Sequence, residues 1–189
     1  MVAQVLTAAM IASDTMEEVL PGTPLGDVVH YLAHSGVIKE DSKSTKLRIV
    51  MDGSCKANAS ALSLNDCLYT GPNLIGDTLT CLLGFRCDKF ALTADIEKAF
   101  LQLALRVEDR DAMRFYFPSD PLDPSSPMKV YRFKAVVFGA SCSPFLLAAV
   151  IKKHIETFVQ DQAFKDSLSK IFVDSLMFTS DSEEVLQQF

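Results

Sequence analysis

Residues 90–103, FALTADIEKAFLQL, constrain the fold more than any other stretch of the chain. Phe90, Ala91 and Leu92 are apolar in succession, which predicts a strand covered on both faces. Asp95 stands at the exit of that strand. A carboxylate there is costly unless it is solvated, hydrogen-bonded or bound to a metal. Ala99, Phe100, Leu101 and Leu103 supply new apolar surface beyond it, so the chain must turn or enter a helix directly after the acid. Two readings of Asp95 stand side by side: the N-cap of a helix beginning at Ile96, or a metal ligand. A second aspartate, Asp174, lies in the late stretch IFVDSLMFT. That stretch predicts a hairpin with Asp174-Ser175 at its tip, and the two acids together favour the metal reading.

Composition permits a packed domain and narrows its chemistry. The 189 residues are 49% hydrophobic and 22% charged, which excludes disorder. A formal net charge of −6 argues against a free-standing nucleic-acid binder. Cys55, Cys67, Cys81, Cys87 and Cys142 form no CxxC pair, and their odd number rules out a complete disulfide framework. Reduced thiols in an intracellular compartment are expected. His30 and His34 are four residues apart without an HExxH pattern, and with His154 they make no zinc set. The apolar start lacks a basic segment, so a buried helix over 2–10, within an N-terminal helical segment 1–27, is expected rather than a signal peptide. Residues 144–151 are too few to span a bilayer.

Periodicity outlines the rest. Leu25, Val28, Val29 and Leu32 predict a helical stretch over 27–33. Val37-Ile38 and LRIVMD predict a hairpin across a charged loop. Lys39, Lys43, Lys46 and Arg48 make this the one dense basic cluster. It reads either as a solvated hairpin tip or as a clamp for phosphates. Residues 74–85 predict a helix ended by Gly84. Residues 113–117 and 129–137 predict paired strands across the proline-rich loop 119–127, with Tyr131, Phe133 and Ala135 on one face. Ser143-Pro144 opens a helix running to about Val159. Residues 163–168 predict a short helix, and SDSEE a capped one.

Five blocks carry a family likeness: KLRIVMDGSCKAN, SLNDCLYTGPNL, ALTADIEKAFLQLALRVEDRDAMRFY, VYRFKAVVFGASCSPFLL and FVDSLMFTSDSEE. In these, collinear from about Val28 onward, the chain resembles the reverse transcriptase (RNA-directed DNA polymerase) domain of Pao/BEL-type retrotransposon polyproteins, and more broadly the palm of retroviral polymerases. The resemblance implies an α+β fold over 28–189: a polymerase palm, an antiparallel sheet backed by helices, with partial fingers and the thumb absent. Asp95 and Asp174 resemble the metal-binding carboxylates. Phe100, five residues after Asp95, resembles the aromatic residue beneath the incoming sugar, where a large ring leaves no room for a ribose 2′-hydroxyl. Core packing is the other reading of Phe100. Gly139, Ser143 and Pro144 resemble the motif that shapes the nucleotide pocket. Arg48, with Lys46 or Lys39, resembles the cations that hold the triphosphate.

The chain departs from that pattern at one position of consequence. Ser175 stands where the family has its second adjacent aspartate, and a hydroxyl is a weak ligand for a hard cation. Asp181, six residues on, would lie about 20 Å away along an extended strand and does not replace it. The resemblance implies nucleotidyl transfer with Mg²⁺ or Mn²⁺ on two metals, impaired in this chain. Template–primer, deoxynucleoside triphosphate and a thumb/ribonuclease H portion of the polyprotein are the partners it implies. No membrane role and no secretion are expected; the location implied is cytoplasmic or nuclear. The competing reading is a catalytically inactive remnant serving as a nucleic-acid or protein binding module.

Overall fold

The computed structural model describes residues 14–38, 47–120, 123, 125–160, 165 and 171–187. In chain order the elements are β1 (Met16–Glu18), β2 (Ala33–Ile38), β3 (Leu47–Asp52), α1 (Leu64–Cys67), α2 (Thr78–Gly84) and β4 (Phe90–Asp95). Short 3-10 turns follow at Ala99–Gln102 and Val107–Met113. Then come β5 (Arg114–Pro118), β6 (Met128–Phe133), α3 (Ser143–Phe158), β7 (Ile171–Phe172), β8 (Ser175–Ser180) and α4 (Glu183–Leu186). Strands and helices are mixed, and the sheets are open. The chain divides into two units: Met1–Tyr69 with Phe100–Ser143, and Thr70–Ala99 with Pro144–Phe189.

The first unit is built on a three-stranded sheet in the order β1-β6-β5. Its register follows from alternation. Phe115 pairs with Tyr131 and Phe117 with Lys129, so Phe115 and Phe117 of β5 share one face with Tyr131 and Phe133 of β6. Met16 of β1, opposite Phe133, joins them. Phe115 and Phe133 stack at 5.0 Å, and Phe115 and Tyr131 at 5.9 Å. Around them Leu32, Met51, Leu64, Met113, Phe117, Val137 and Ala140 complete the core.

The opposite face of this sheet is charged. Register sets Arg114 directly across from Arg132, and Arg132 across from Glu17. Facing guanidiniums repel, and Asp111 resolves the conflict. Its Oδ1 accepts from Arg114 Nε at 3.0 Å and from Arg132 Nη1 at 2.7 Å, while Oδ2 takes the Gly26 amide at 2.7 Å. Burial pushes the Asp111 carboxyl up, but the hydrogen bonds from Arg132, Gly26 and Arg114 outweigh it and leave the group below its ordinary value. A two-stranded sheet, β2 with β3, completes the strands of this unit, Arg48 pairing with Val37.

The second unit holds a three-stranded sheet in the order β4-β8-β7 with α2, α4 and nearly all of α3. Asp77 caps α2 by accepting from the Thr80 amide at 2.8 Å. Phe178 of β8 is buried. The Lys89 amide donates to Asp181 at 3.2 Å, fastening the start of β4 to the end of β8.

Several expectations are corrected. The strand β4 is not covered on both faces. Among the described residues it pairs only with β8, and Ala91, Thr93, Ala94 and Asp95 are exposed while Phe90 and Leu92 are half-buried. An uninterrupted apolar run counted Ala91 as core, yet its methyl is small and period-2 alternation turns it outward. Residues 27–33 are not a helix. His30 and Leu32 exchange backbone bonds with Asp111 and Arg114, and Val28 and Val29 face water. The helix over 74–85 starts at Thr78, and the strand beginning at 129 stops at Phe133. Residues 16–18, inside the expected helical segment 1–27, form a strand. The helix expected over 2–10 lies outside the described residues, as does nearly all of 163–168.

Candidate active site

Strand register brings the backbones of two acids of the second unit to one end of its sheet. Asp95, the last residue of β4, pairs with Ser175, the first of β8. Cross-strand partners have Cα atoms about 4.5–5.5 Å apart. The Ile96 amide donates to the Asp174 carbonyl at 2.9 Å, extending the ladder one step past the strand end. Asp95 and Asp174 thus sit at one end of one sheet, Asp95 exposed and Asp174 half-buried. Ser175 Oγ donates to Asp95 Oδ1 at 2.7 Å.

The turn that presents them is strained. Phe172 pairs with Ser175, leaving Val173-Asp174 as a two-residue loop rather than the expected Asp174-Ser175 tip. Val173 has φ +59°, the sign a type II′ turn requires at its first central position and normally meets with glycine. A β-branched residue there costs about 1–3 kcal/mol, and such strain gathers at functional sites.

Mg²⁺ is commonly held by one or two carboxylates, with waters and substrate phosphates completing its shell. Asp95 and Asp174 match that need for one ion. A second ion would require a further carboxylate. Among the described residues no group of three or more His, Cys, Asp or Glu side chains gathers to hold a metal. The hydroxyl of Ser175 is already committed to Asp95. By donor count the pair suits one divalent ion and falls short of two.

The remaining expected site residues belong to the first unit. Arg48 is exposed on β3. Lys39 and Lys46 lie outside the described residues. Phe100 is 3% exposed and stacks edge-on against Phe138 at 4.4 Å. Ser143 is 2% exposed, its Oγ donating to the Val137 carbonyl at 2.7 Å. Both side chains pack among the protein's own atoms. Gly139 has φ +99°, and a Cβ there would meet the Met51 carbonyl oxygen at 2.2 Å. Only glycine serves at that position. Burial pushes the Cys142 thiol up, which disfavours a thiolate.

One residue escaped the sequence reading. Asn65 Oδ1 accepts from the Ser141 amide at 2.8 Å, and its Nδ2 donates to the Gly139 carbonyl and to Ser54 Oγ, each at 2.9 Å. One side chain thereby ties the turn after β3 to the turn before α3. Ser63 and Asp66 hold Asn65 in place as a capping box around α1. Hydrogen bonds from Lys56, then from Ser63, hold the Asp66 carboxyl down to about 2. The capping box in SLND was a visible signal; the long-range partners of Asn65 were not.

No helix among the described residues is long and apolar enough to cross a membrane. No protein-family model matches the chain, and no curated protein matches it.

Proposed function

We propose that the chain is a reverse-transcriptase-like domain of a Pao/BEL-type retroelement, an intracellular RNA-directed DNA polymerase fold whose nucleotidyl transfer is impaired. The observation that carries this reading is the pairing of Asp95 with Ser175, which sets Asp95 and Asp174 at one sheet end. One carboxylate at a strand end and one in the adjacent turn suit a charged, phosphate-bearing substrate with its cation. A bound divalent ion would supply neutralisation of triphosphate charge. The chain's own contribution is to hold it: Asp95 and Asp174 would be its ligands, and the Ser175 hydroxyl fixes the rotamer of Asp95 through Oδ1.

Impairment follows from Ser175. Its hydroxyl occupies an oxygen that ion sharing would need, and it adds no charge. The same hydrogen bond favours a second reading, a non-catalytic remnant that binds nucleic acid.

Primer extension on an RNA template with Mg²⁺ or Mn²⁺ separates the two. The expected result is trace extension by the chain as it stands, a gain of at least about tenfold with Ser175→Asp, and loss with Asp95→Ala. Salt-sensitive duplex binding without extension in either form supports the remnant. Extension indifferent to Asp95→Ala removes the acidic pair from the mechanism.

A further inference from the structure

Strand β4 forms one edge of the three-stranded sheet of the second unit, and its outer side has no strand partner among the described residues. Register fixes which groups that side presents. The Ile96 amide bonds to the Asp174 carbonyl at 2.9 Å, so the hydrogen-bonded pairs with β8 fall at every second residue before it, at Ala94, Leu92 and Phe90. Ala91, Thr93 and Asp95 therefore turn their backbone N–H and C=O groups away from β8, and all three residues are exposed. Edge strands are commonly guarded by a proline, a lysine or a bulge. Residues 90–95, FALTAD, contain no proline and no lysine, and their pairing with β8 runs through without a bulge.

Such an edge takes an extended strand, and the charges at its two ends select which one. Lys89 stands just before β4 and is exposed, its Nζ 5.1 Å from the centre of the Phe90 ring. Asp95 closes the other end, exposed, with only Oδ1 engaged by Ser175. An antiparallel copy of the same strand meets these charges in reverse order. The register that sets Leu92 opposite Leu92 also sets Ala91 opposite Thr93, so that outward groups meet outward groups. It places Lys89 opposite Asp95, twice, by two-fold symmetry. Alternation puts 89, 91, 93 and 95 on one face, so each ammonium faces a carboxylate. The Lys89 amide is already taken by Asp181, and Lys89 contributes its charge rather than its N–H. Sliding the copy by two residues either way sets Asp95 opposite Ala91 or Cys87 and loses both Lys89–Asp95 pairs.

We propose that the outer edge of β4 pairs antiparallel with β4 of a second copy of this chain, joining two three-stranded sheets into one. The Ala91–Thr93 pairs exchange backbone hydrogen bonds, and the Lys89–Asp95 pairs set the register. Sedimentation equilibrium of the full chain at micromolar concentrations is expected to show a reversible dimer. Thr93→Pro removes an outward N–H and spares the bonds to β8. It is expected to weaken the dimer at least about tenfold with an unchanged circular dichroism spectrum. Lys89→Glu and Asp95→Lys each set like charges opposite one another, and each is expected to weaken the dimer at least about tenfold. Mixed in equal amounts, the two variants place opposite charges at both ends of the paired strands, and the mixture is expected to dimerise again. A chain that stays monomeric across these concentrations, a dimer that Thr93→Pro leaves intact, or a mixture no more associated than its two components would each overturn the proposal.

Discussion

The two units handle a carboxylate at a strand end in opposite ways. Asp111, just before β5, is 2% exposed and saturated: two guanidiniums and a backbone amide occupy it. Asp95, at the end of β4, is exposed and, among the described residues, accepts one hydrogen bond, from Ser175. A saturated acid holds strands together and has nothing left for a ligand. An acid with an open oxygen at a sheet edge contributes little to stability and keeps its capacity for chemistry. The contrast assigns Asp111 to the fold and leaves Asp95 open to a ligand.

Removing each charge should break or uphold that assignment most visibly. Asp111→Asn leaves the buried Arg114 and the half-buried Arg132 guanidiniums facing each other, a loss expected at about 3–5 kcal/mol in urea denaturation. Asp95→Asn should cost under about 1 kcal/mol. Acid titration adds a second reading of the same contrast. The Asp111 carboxyl is held below its ordinary value, so its contribution is fully present above about pH 4 and disappears as pH falls through the lower folded value. The loss of stability between pH 4 and pH 2 should shrink in Asp111→Asn. Equal losses for the two substitutions would erase the distinction between the acids.

Backbone strain sharpens the comparison at a smaller scale. The first unit places glycine where φ is positive and space is absent: Gly139→Ala would bring a Cβ to 2.2 Å from a carbonyl oxygen. About 2–3 kcal/mol should be lost on thermal melting. The second unit places valine at φ +59° in a two-residue turn. Val173→Gly should therefore stabilise, by about 1 kcal/mol, against the usual trend for glycine. A destabilised Val173→Gly would mean that side-chain packing at the turn outweighs its backbone strain.

What the sequence disclosed follows the same division. Strands β3, β5 and β6 and helix α3 were legible because large apolar side chains repeat at a period of two, or follow a helix-opening Ser-Pro. The late hairpin was legible from two apolar triplets around Asp174-Ser175, though its turn is one residue earlier. Residues 27–33 misled because an apolar spacing near 3.6 says nothing of where the backbone donors go. Those of His30 and Leu32 go to Asp111 and Arg114, some eighty residues away. The Asp111 cluster and the Asn65 clasp were illegible for the same reason: each is a set of long-range partners fixed by register. Burial of Phe100 was one of its two readings, whereas that of Ser143 was not legible, because a motif position does not report how deeply its side chain packs.

The smallest expected effect is the most informative about the acidic end. Ser175→Ala deletes one hydrogen bond at an exposed site and should cost about 0.5–1 kcal/mol. Ser175→Asp instead sets a third carboxylate beside Asp95 and Asp174, where like charges raise one another's energy. Without divalent ions this variant should melt below Ser175→Ala. With millimolar Mn²⁺ it should recover and overtake it, because an ion that binds the folded state alone stabilises that state by mass action. Ser175→Ala, with two carboxylates and no restraining hydroxyl, should respond to Mn²⁺ weakly. A Ser175→Asp variant whose melting ignores Mn²⁺ would show that the three side chains do not aim at a common point. Register alone would then have brought Asp95 and Asp174 together, without making them ligands of one ion.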